Sequence, residues 1–347
     1  MKNKFFTLGT LLLLGLYSCK LTTKPSTKIA TSNVDFTIAF GSCNKQYKPN
    51  ILWKEIKKNH PDLWIWGGDN MYSDTDDMAK MQSDYDALKK QSGYLELTQN
   101  IPVLATWDDH DYGFNDSGIE FAKKKEAQKL FLDFFNVDAK SPIRNQEGIY
   151  NAKEFKTAKG SIKVIVLDTR YFRTPLIKAA NKSKKRYVAN KDTNSSVLGE
   201  QQWEWFKNEL NNSTADFNII VSSIQVLSSE HGFETWGNFP NDVKKLKNSI
   251  AESKAKGVFI LSGDRHLSEF SKSDVNRLKY PLIDFTSSGL THAYTSFVSE
   301  PNQYRVQEVI SEVSFGLLQF NFENKSVSMQ MRGKDNKLLQ ELNQIYP

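Results

Sequence analysis

The sequence predicts an α/β fold whose central strands are covered on both faces, and three observations lead there. Continuous apolar runs of strand length recur along the chain, as in DLWIWGGD at 62–69, without the polar alternation of a half-exposed strand. Helical patterns lie between most of these runs. Each run also closes on polar residues, and the carboxyl ends of strands are where open α/β sheets gather functional groups.

The chain begins with a segment of a different kind. Residues 1–18 have a basic start, an apolar run and a small residue before Cys19, the pattern of a secretory signal. Leu16-Tyr17-Ser18-Cys19 resembles the bacterial lipobox, so Cys19 is expected to be lipidated and to become the new N-terminus. Its acyl chains would hold an exported protein on a bacterial membrane, the outer membrane on its periplasmic or surface side. A cleaved signal without lipid is the alternative. Residues 19–33 are polar and rich in Thr, Ser and Lys, as a flexible tether is, and residues 34–347 are expected to form one domain of catalytic size.

Within that domain the strands are expected at 35–43, 62–69, 101–107, 161–168, 217–226, 257–264 and 281–288, with helical patterns at 119–135, 199–211 and 240–256. Residues 314–333 alternate about Glu323-Asn324-Lys325, which predicts a closing hairpin. Residues 178–196 form a basic polar insertion, expected as a solvated loop that could also help hold an anionic substrate.

A hydrophobic content of 39% with 12% aromatic residues excludes a disordered chain. Loss of residues 1–18 removes Lys2 and Lys4 and lowers the formal charge from +6 to +4, a balance that implies no nucleic-acid partner. With Cys19 committed to lipid, Cys43 has no partner for a disulfide and is either buried and inert or chemically employed. No G-x-S-x-G occurs, which argues against a lipase-type serine hydrolase.

The strand ends carry the chemistry: Gly41-Ser42-Cys43-Asn44, Gly68-Asp69-Asn70-Met71-Tyr72, Trp107-Asp108-Asp109-His110-Asp111, Asp168-Thr169-Arg170, Ser222-Ser223-Ile224-Gln225 and Gly263-Asp264-Arg265-His266. So many carboxylates in one place repel one another unless cations neutralise them, and a metal centre is the simplest remedy. Thiolate and imidazole suit a transition metal, while Asp and Asn oxygens also suit Ca²⁺, Mg²⁺ or Mn²⁺. A phenolate at Tyr72 calls for a strongly acidic cation such as Fe³⁺. Taken singly, Asp69 is equally readable as a helix N-cap, Cys43 as a core residue and His110 as a turn residue. Asp74, Asp76 and Asp77 are read as a capping and turn cluster, and His60 and His231 as structural.

Joined in order, Gly41-Ser42-Cys43, Gly68-Asp69-x-x-Tyr72, Trp107-Asp108-Asp109-His110-Asp111-Tyr112-Gly113-x-Asn115-Asp116, Leu167-Asp168-Thr169-Arg170, Leu198-Gly199-x-x-Gln202-Trp203 and Gly263-Asp264-x-His266 resemble the alkaline phosphatase D, or PhoD-like, family of the metallophosphoesterase superfamily, from about residue 36 to 295. The resemblance implies a four-layer α/β/β/α sandwich and an exported phosphoric ester hydrolase with an iron ion and one or two calcium ions. By position it makes Cys43 and Tyr72 ligands of Fe³⁺ and Asp69 the bridge to a second metal. It offers Asp109 or Asn115 as the next ligand without choosing between them, and completes the centre with Asp264 and His266. Other divalent metals, Mn²⁺, Mg²⁺ or Zn²⁺, are compatible with such donors. The chain departs from longer members in lacking an extended N-terminal β domain and an evident C-terminal covering helix. It also carries Ser222, Ser223 and Gln225 where many superfamily members have a metal-binding His.

The expected reaction is attack on a phosphomonoester or phosphodiester by a metal-activated hydroxide, with phosphate scavenging as its purpose. His110 is the candidate to protonate the leaving alkoxide, and Arg170 and Arg265 are the candidate phosphate clamps. Trp236 and His292, in ETWGNFP and SSGLTHAY, are candidate substrate-lining residues. A surface lipoprotein that binds metal or glycan without catalysis is the competing reading.

Overall fold

Alternation in two neighbouring strands decides the layering. In β1 (Phe36–Gly41), Ile38 and Phe40 enter one apolar cluster while Ala39 enters another. In β2 (Leu63–Gly67), Leu63 and Ile65 share the first cluster while Trp64 and Trp66 face the second. Side chains at successive positions leave a strand on opposite faces, so both faces of this sheet are buried. The computed structural model describes residues 34–180 and 185–347. The expected signal peptide at 1–18, the tether at 19–33, lipidated Cys19 and residues 181–184 of the basic insertion lie outside these residues.

The strands that follow are β3 (Val103–Thr106), β4 (Asn151–Lys156), β5 (Ser161–Val166), β6 (Ile177–Lys178), β7 (Tyr187–Val188), β8 (Phe217–Val221) and β9 (Val258–Ser262). After them come β10 (Ser268–Ser273), β11 (Leu282–Ser287), β12 (Arg305–Ile310), β13 (Phe315–Asn321), β14 (Ser326–Arg332) and β15 (Leu338–Ile345). One sheet has the order β15-β14-β13-β1-β2-β3 and the other β12-β10-β11-β9-β8-β5-β4, while β6 and β7 form a small ribbon. The helices are α1 (Trp53–Lys57), α2 (Met78–Lys89), α3 (Ser92–Thr98), α4 (Asp109–Tyr112), α5 (Lys124–Phe134), α6 (Gly199–Asn211) and α7 (Pro240–Glu252).

Three apolar clusters join the layers. The inner one packs sheet on sheet, with Phe40, Ile65, Val164, Phe217, Phe285 and Leu318 among its members. Trp53, Tyr85 and Phe131 from α1, α2 and α5 cover the first sheet against Trp64 and Trp66. Trp203, Phe206, Leu246 and Ile250 from α6 and α7 cover the second against Ile165, Ile220 and Ile260. The result is the expected α/β/β/α sandwich. Among the described residues no helix is long and apolar enough to cross a membrane.

The closing hairpin is present: β13 and β14 pair antiparallel from Phe315↔Arg332 to Asn321↔Ser326. Several boundaries differ from expectation. The helix expected over 119–135 begins only at Lys124, and the strand expected over 217–226 ends at Val221, where the backbone turns into the site. Six strands are not among those the sequence predicts: the short β6 and β7, which pair in and beside the insertion expected as a solvated loop, and β4, β10, β12 and β15 of the two large sheets. Their solvent-facing or polar positions, such as the SEFSKS of β10, dilute the apolar signal.

Candidate metal centre

The carboxyl ends of parallel strands from both sheets meet at one place: β1 to β3 from the first, and β5, β8, β9 and β11 from the second. There the loops knit together, with Cys43 N donating to the Gly68 carbonyl (3.4 Å) and Asn44 N to the Asp69 carbonyl (2.9 Å). A Cβ on Gly263 would stand 2.5 Å from the Gly67 carbonyl oxygen and 2.7 Å from Ser42 Oγ, so only glycine lets the two sheets approach this closely.

Four side chains leave these loops from left-handed backbone: Cys43 (φ 61°), Asp69 (φ 50°), Asp264 (φ 70°) and His266 (φ 54°). That conformation costs a non-glycine residue about 1–2 kcal/mol, and such residues concentrate where function demands a particular aim. The aim is convergence. Cys43 Sγ lies 3.3 Å from Asp69 Oδ2 and 3.0 Å from Ser288 Oγ. The Tyr72 hydroxyl donates to Asp69 Oδ2 (2.9 Å) and lies 3.0 Å from His266 Nε2. Ser288 Oγ also accepts from His266 N (2.7 Å), tying β11 to the same point.

Donor atoms of Cys43, Asp69 and His266 lie within 4.8 Å of one another, and so do those of Asp69, Asp109 and His110. Asp69 is common to both sets. Burial, with the neighbouring Cys43, Asp109 and Asp108, pushes its carboxyl well above the usual range. Burial pushes the Cys43 thiol up to about 12 and the Tyr72 phenol also upward. The orphaned Oδ1 of Asp109 is buried without a hydrogen-bond partner. These are donors built for cations: a cation among them would favour the charged forms that burial opposes and give that oxygen its partner. The set therefore fits a metal centre.

A cavity of about 460 Å³ opens over the centre, lined by Asp69, Asp109, His110, Asn115, Asp264 and His266 and walled further by Asp116, Arg186, Phe233, Glu234 and Arg265. His110 holds Asp74 Oδ1 at 2.6 Å through Nδ1. Burial alone would lower the pKa of its ring, but the Asp69 charge and the Asp74 hydrogen bond hold it at about 10. Asp109 Oδ2 accepts from Asp116 N (2.6 Å), which leaves Oδ1 for the cavity. Asn115 is exposed at the rim.

A family model described as PhoD-like phosphatase matches residues 38–337. The chain belongs to the PhoD-like phosphatase family. Alkaline phosphatase D of Bacillus subtilis (strain 168) is 24% identical over 280 residues, covering 69% of this chain and 47% of that protein, so the chain spans about half the length of this curated relative. The solved structure of PhoD superposes with a TM-score of 0.68 at 18% identity, over 89% of this chain and 68% of that one. GAP50, the anchor in the inner membrane complex of Plasmodium, shares the fold with a TM-score of 0.58 at 13% identity, over 91% of this chain and 90% of its own. A dimetal phosphatase from Danio rerio does so with 0.56 at 11%, over 91% of this chain and all (100%) of its own. Likeness at these identities shows the fold alone, so the chemistry is read from the site.

The structure brings Cys43, Asp69, Tyr72, Asp109, His110, Asp264 and His266 together and sets Asn115 at the cavity rim. Asp69 caps no helix; the next one, α2, is capped by Asp77, whose side chain accepts from Ala79 N and Lys80 N. Three expected substrate contacts, Arg170, Trp236 and His292, do not line the cavity. Arg170 does not reach the cavity: its guanidinium is wholly buried between Asp108 (Nε to Oδ1, 2.7 Å) and Glu234 (2.7 Å). Two carboxylates remote in sequence hold it there. Trp236 is also fully buried, its Nε1 donating to Ser222 Oγ (3.0 Å) and its ring against Trp203, because it belongs to the apolar layer under α6 and α7.

His292 packs beside His266 (ring centroids 4.3 Å) and Tyr72 (5.3 Å) and is not among the residues that line the cavity. Arg265 does line the cavity, with its guanidinium on Glu300 (2.6 Å) and over the Phe233 ring. Asp74, assigned to a capping cluster by the sequence, instead serves His110. Ser288, Asp116, Glu234 and Arg186 also belong to the site surroundings. Each lies in a stretch the sequence singles out, Asp116 at the end of the Trp107–Asp116 motif, Glu234 in ETWGNFP, Ser288 in SSGLTHAY and Arg186 in the basic insertion, but nothing local marks the residue itself.

Proposed function

We propose that this chain is a metal-dependent phosphoric ester hydrolase acting on phosphomonoesters and phosphodiesters. The observation that carries the reading is the sharing of Asp69 between two donor sets beneath one cavity. Cys43, Tyr72, Asp69, Asp264 and His266 would hold Fe³⁺, and Asp69 with Asp109 or Asn115 would hold Ca²⁺ or another hard divalent ion, since thiolate and phenolate suit the first and oxygen donors the second. When bound, such ions activate water and offset charge on phosphoryl oxygens.

The chain's own residues supply the rest. His110, fixed through Nδ1 by Asp74, is the group that gives a proton to the leaving oxygen. Arg265, held by Glu300 and stacked on Phe233, presents a guanidinium at the wall that orients the phosphoryl group. We further place the protein on the exported side of a bacterial membrane, anchored by lipid on Cys19, with phosphate scavenging as its purpose; the sequence of residues 1–19 supports the anchor.

Elemental analysis of the untreated protein, beside assays on p-nitrophenyl phosphate and bis-p-nitrophenyl phosphate, tests the reading. Iron with calcium and release of nitrophenol are expected. A metal-loaded protein that hydrolyses neither ester sinks the enzyme and leaves the non-catalytic metal-binding lipoprotein. Membrane association that survives Cys19→Ser removes the lipid anchor.

A further inference from the structure

Each guanidinium at or behind the cavity wall, including Arg265 to which the reading above gives the phosphoryl group, has a carboxylate partner. Arg170 and Arg173 meet Asp108 and Glu234, Arg186 meets Asp116 and Arg265 meets Glu300. Among the described residues, the Lys45 ammonium forms no ion pair. Its Nζ lies 5.0 Å from the centroid of the Tyr72 ring, the same ring whose hydroxyl touches Asp69 and His266.

The backbone beneath Lys45 is fixed on both sides. Lys45 N donates to Thr291 Oγ1 (2.8 Å), and the preceding Asn44 N donates to the Asp69 carbonyl (2.9 Å). The following Gln46 exchanges two hydrogen bonds with the Tyr72 backbone: its Nε2 donates to the carbonyl (2.8 Å) and its Oε1 accepts from the amide (2.9 Å). Asn44 and Gln46 are both buried and Lys45 is half-buried between them. The anchored backbone thus holds this cation against the Tyr72 ring, next to the side chains of the metal centre, where an anion bound at the centre would feel its charge.

Ammonium is a compact point charge, so it reads the amount of negative charge before it more than the shape of the group that carries it. With a second pKa of about 6, a phosphomonoester approaches two negative charges at pH about 7 and above, and a diester bears one. We propose that Lys45 is a specificity-determining residue that receives the extra charge of a phosphomonoester beside the metal centre and so favours monoesters over diesters. This rests on the phosphoesterase reading above.

The test uses the metal-loaded protein, p-nitrophenyl phosphate and bis-p-nitrophenyl phosphate, and calorimetric titration with inorganic phosphate. Lys45→Met is expected to lower kcat/KM for the monoester about 10- to 100-fold, the usual loss of a hydrogen bond to a charged group, and for the diester about threefold or less. Phosphate affinity falls about tenfold or more with it, whereas Lys45→Arg, which keeps the charge, stays within about threefold of wild type on the monoester. Lys48→Met, exposed in the same loop, leaves all three quantities unchanged.

Equal losses on both esters, unchanged phosphate affinity in Lys45→Met, or matching losses in Lys48→Met overturn the proposal. A wild-type protein that binds phosphate but hydrolyses neither ester removes the enzymatic reading alone, and the calorimetric comparison still decides Lys45. One that binds no phosphate overturns the role of Lys45 as well.

Discussion

His110 Nδ1 and Asp74 Oδ1 lie 2.6 Å apart, joining the loop after β2 to the first turn of α4. The contact is reinforced from the backbone, because the His110 carbonyl accepts from both Ser73 N (3.0 Å) and Asp74 N (3.4 Å). Asp74 itself sits in left-handed backbone at φ 49°. The carboxylate thus fixes which ring nitrogen is occupied and leaves the other to serve the cavity.

That pairing makes leaving-group dependence the informative measurement. Asp74→Asn is expected to lower kcat about 10- to 100-fold for an alkyl phosphate, whose alkoxide needs a proton, with metal content unchanged. The loss on p-nitrophenyl phosphate is expected to be much smaller, since nitrophenolate leaves unprotonated. Equal losses on the two substrates would show that Asp74 acts on something other than His110.

Tyr72 stands where a phenolate can meet a ferric ion. Tyr72→Phe is expected to bleach the visible absorption of the iron-loaded protein and to lower its iron content. A variant that keeps its colour shows that the phenol is no ligand.

Arg170 is an internal tie, not a clamp. Its removal by Arg170→Met leaves Asp108 buried without its cation and Glu234 with Arg173 alone, a change that costs about 3–5 kcal/mol. Urea unfolding of the metal-free protein measures it. A variant within about 0.5 kcal/mol of wild type, the range of ordinary surface substitutions, contradicts the buried network.

Away from the centre, Asp284 gives a pH signature. Burial raises its carboxyl from 3.8 to about 6, against hydrogen bonds from Ser262 and from the Leu227 and Val226 amides. Between these values the unfolded chain has released the proton and the folded one still holds it, so this group's contribution to stability falls as pH rises from about 4 to about 6 and is flat above. Unfolding midpoints of wild type and Asp284→Asn across pH 4–7 are expected to diverge only in that window. Parallel curves contradict the assignment.

The layering and the place of the site were legible because both follow from local pattern. Leu63 and Ile65 alternate with Trp64 and Trp66, and Cys43, Asp69, Asp109 and Asp264 each follow a buried strand. The errors share one cause. Arg170 and Asp74 were read from their own surroundings in the chain, while their partners are far away: Asp108 lies 62 residues before Arg170, Glu234 lies 64 after it, and His110 lies 36 after Asp74.

Within Asp108-Asp109-His110-Asp111 the sequence determined that a polar cluster closes β3, since four charged or titratable residues cannot continue an apolar strand. It could not divide the labour among them. The fold did: Asp108 turns inward to Arg170, Asp109 and His110 face the cavity, and Asp111 folds back to accept from the Asp108 amide at 2.6 Å. Backbone periodicity is written in neighbouring residues, whereas the pairing of charges depends on which distant loops the two sheets bring within a few ångströms.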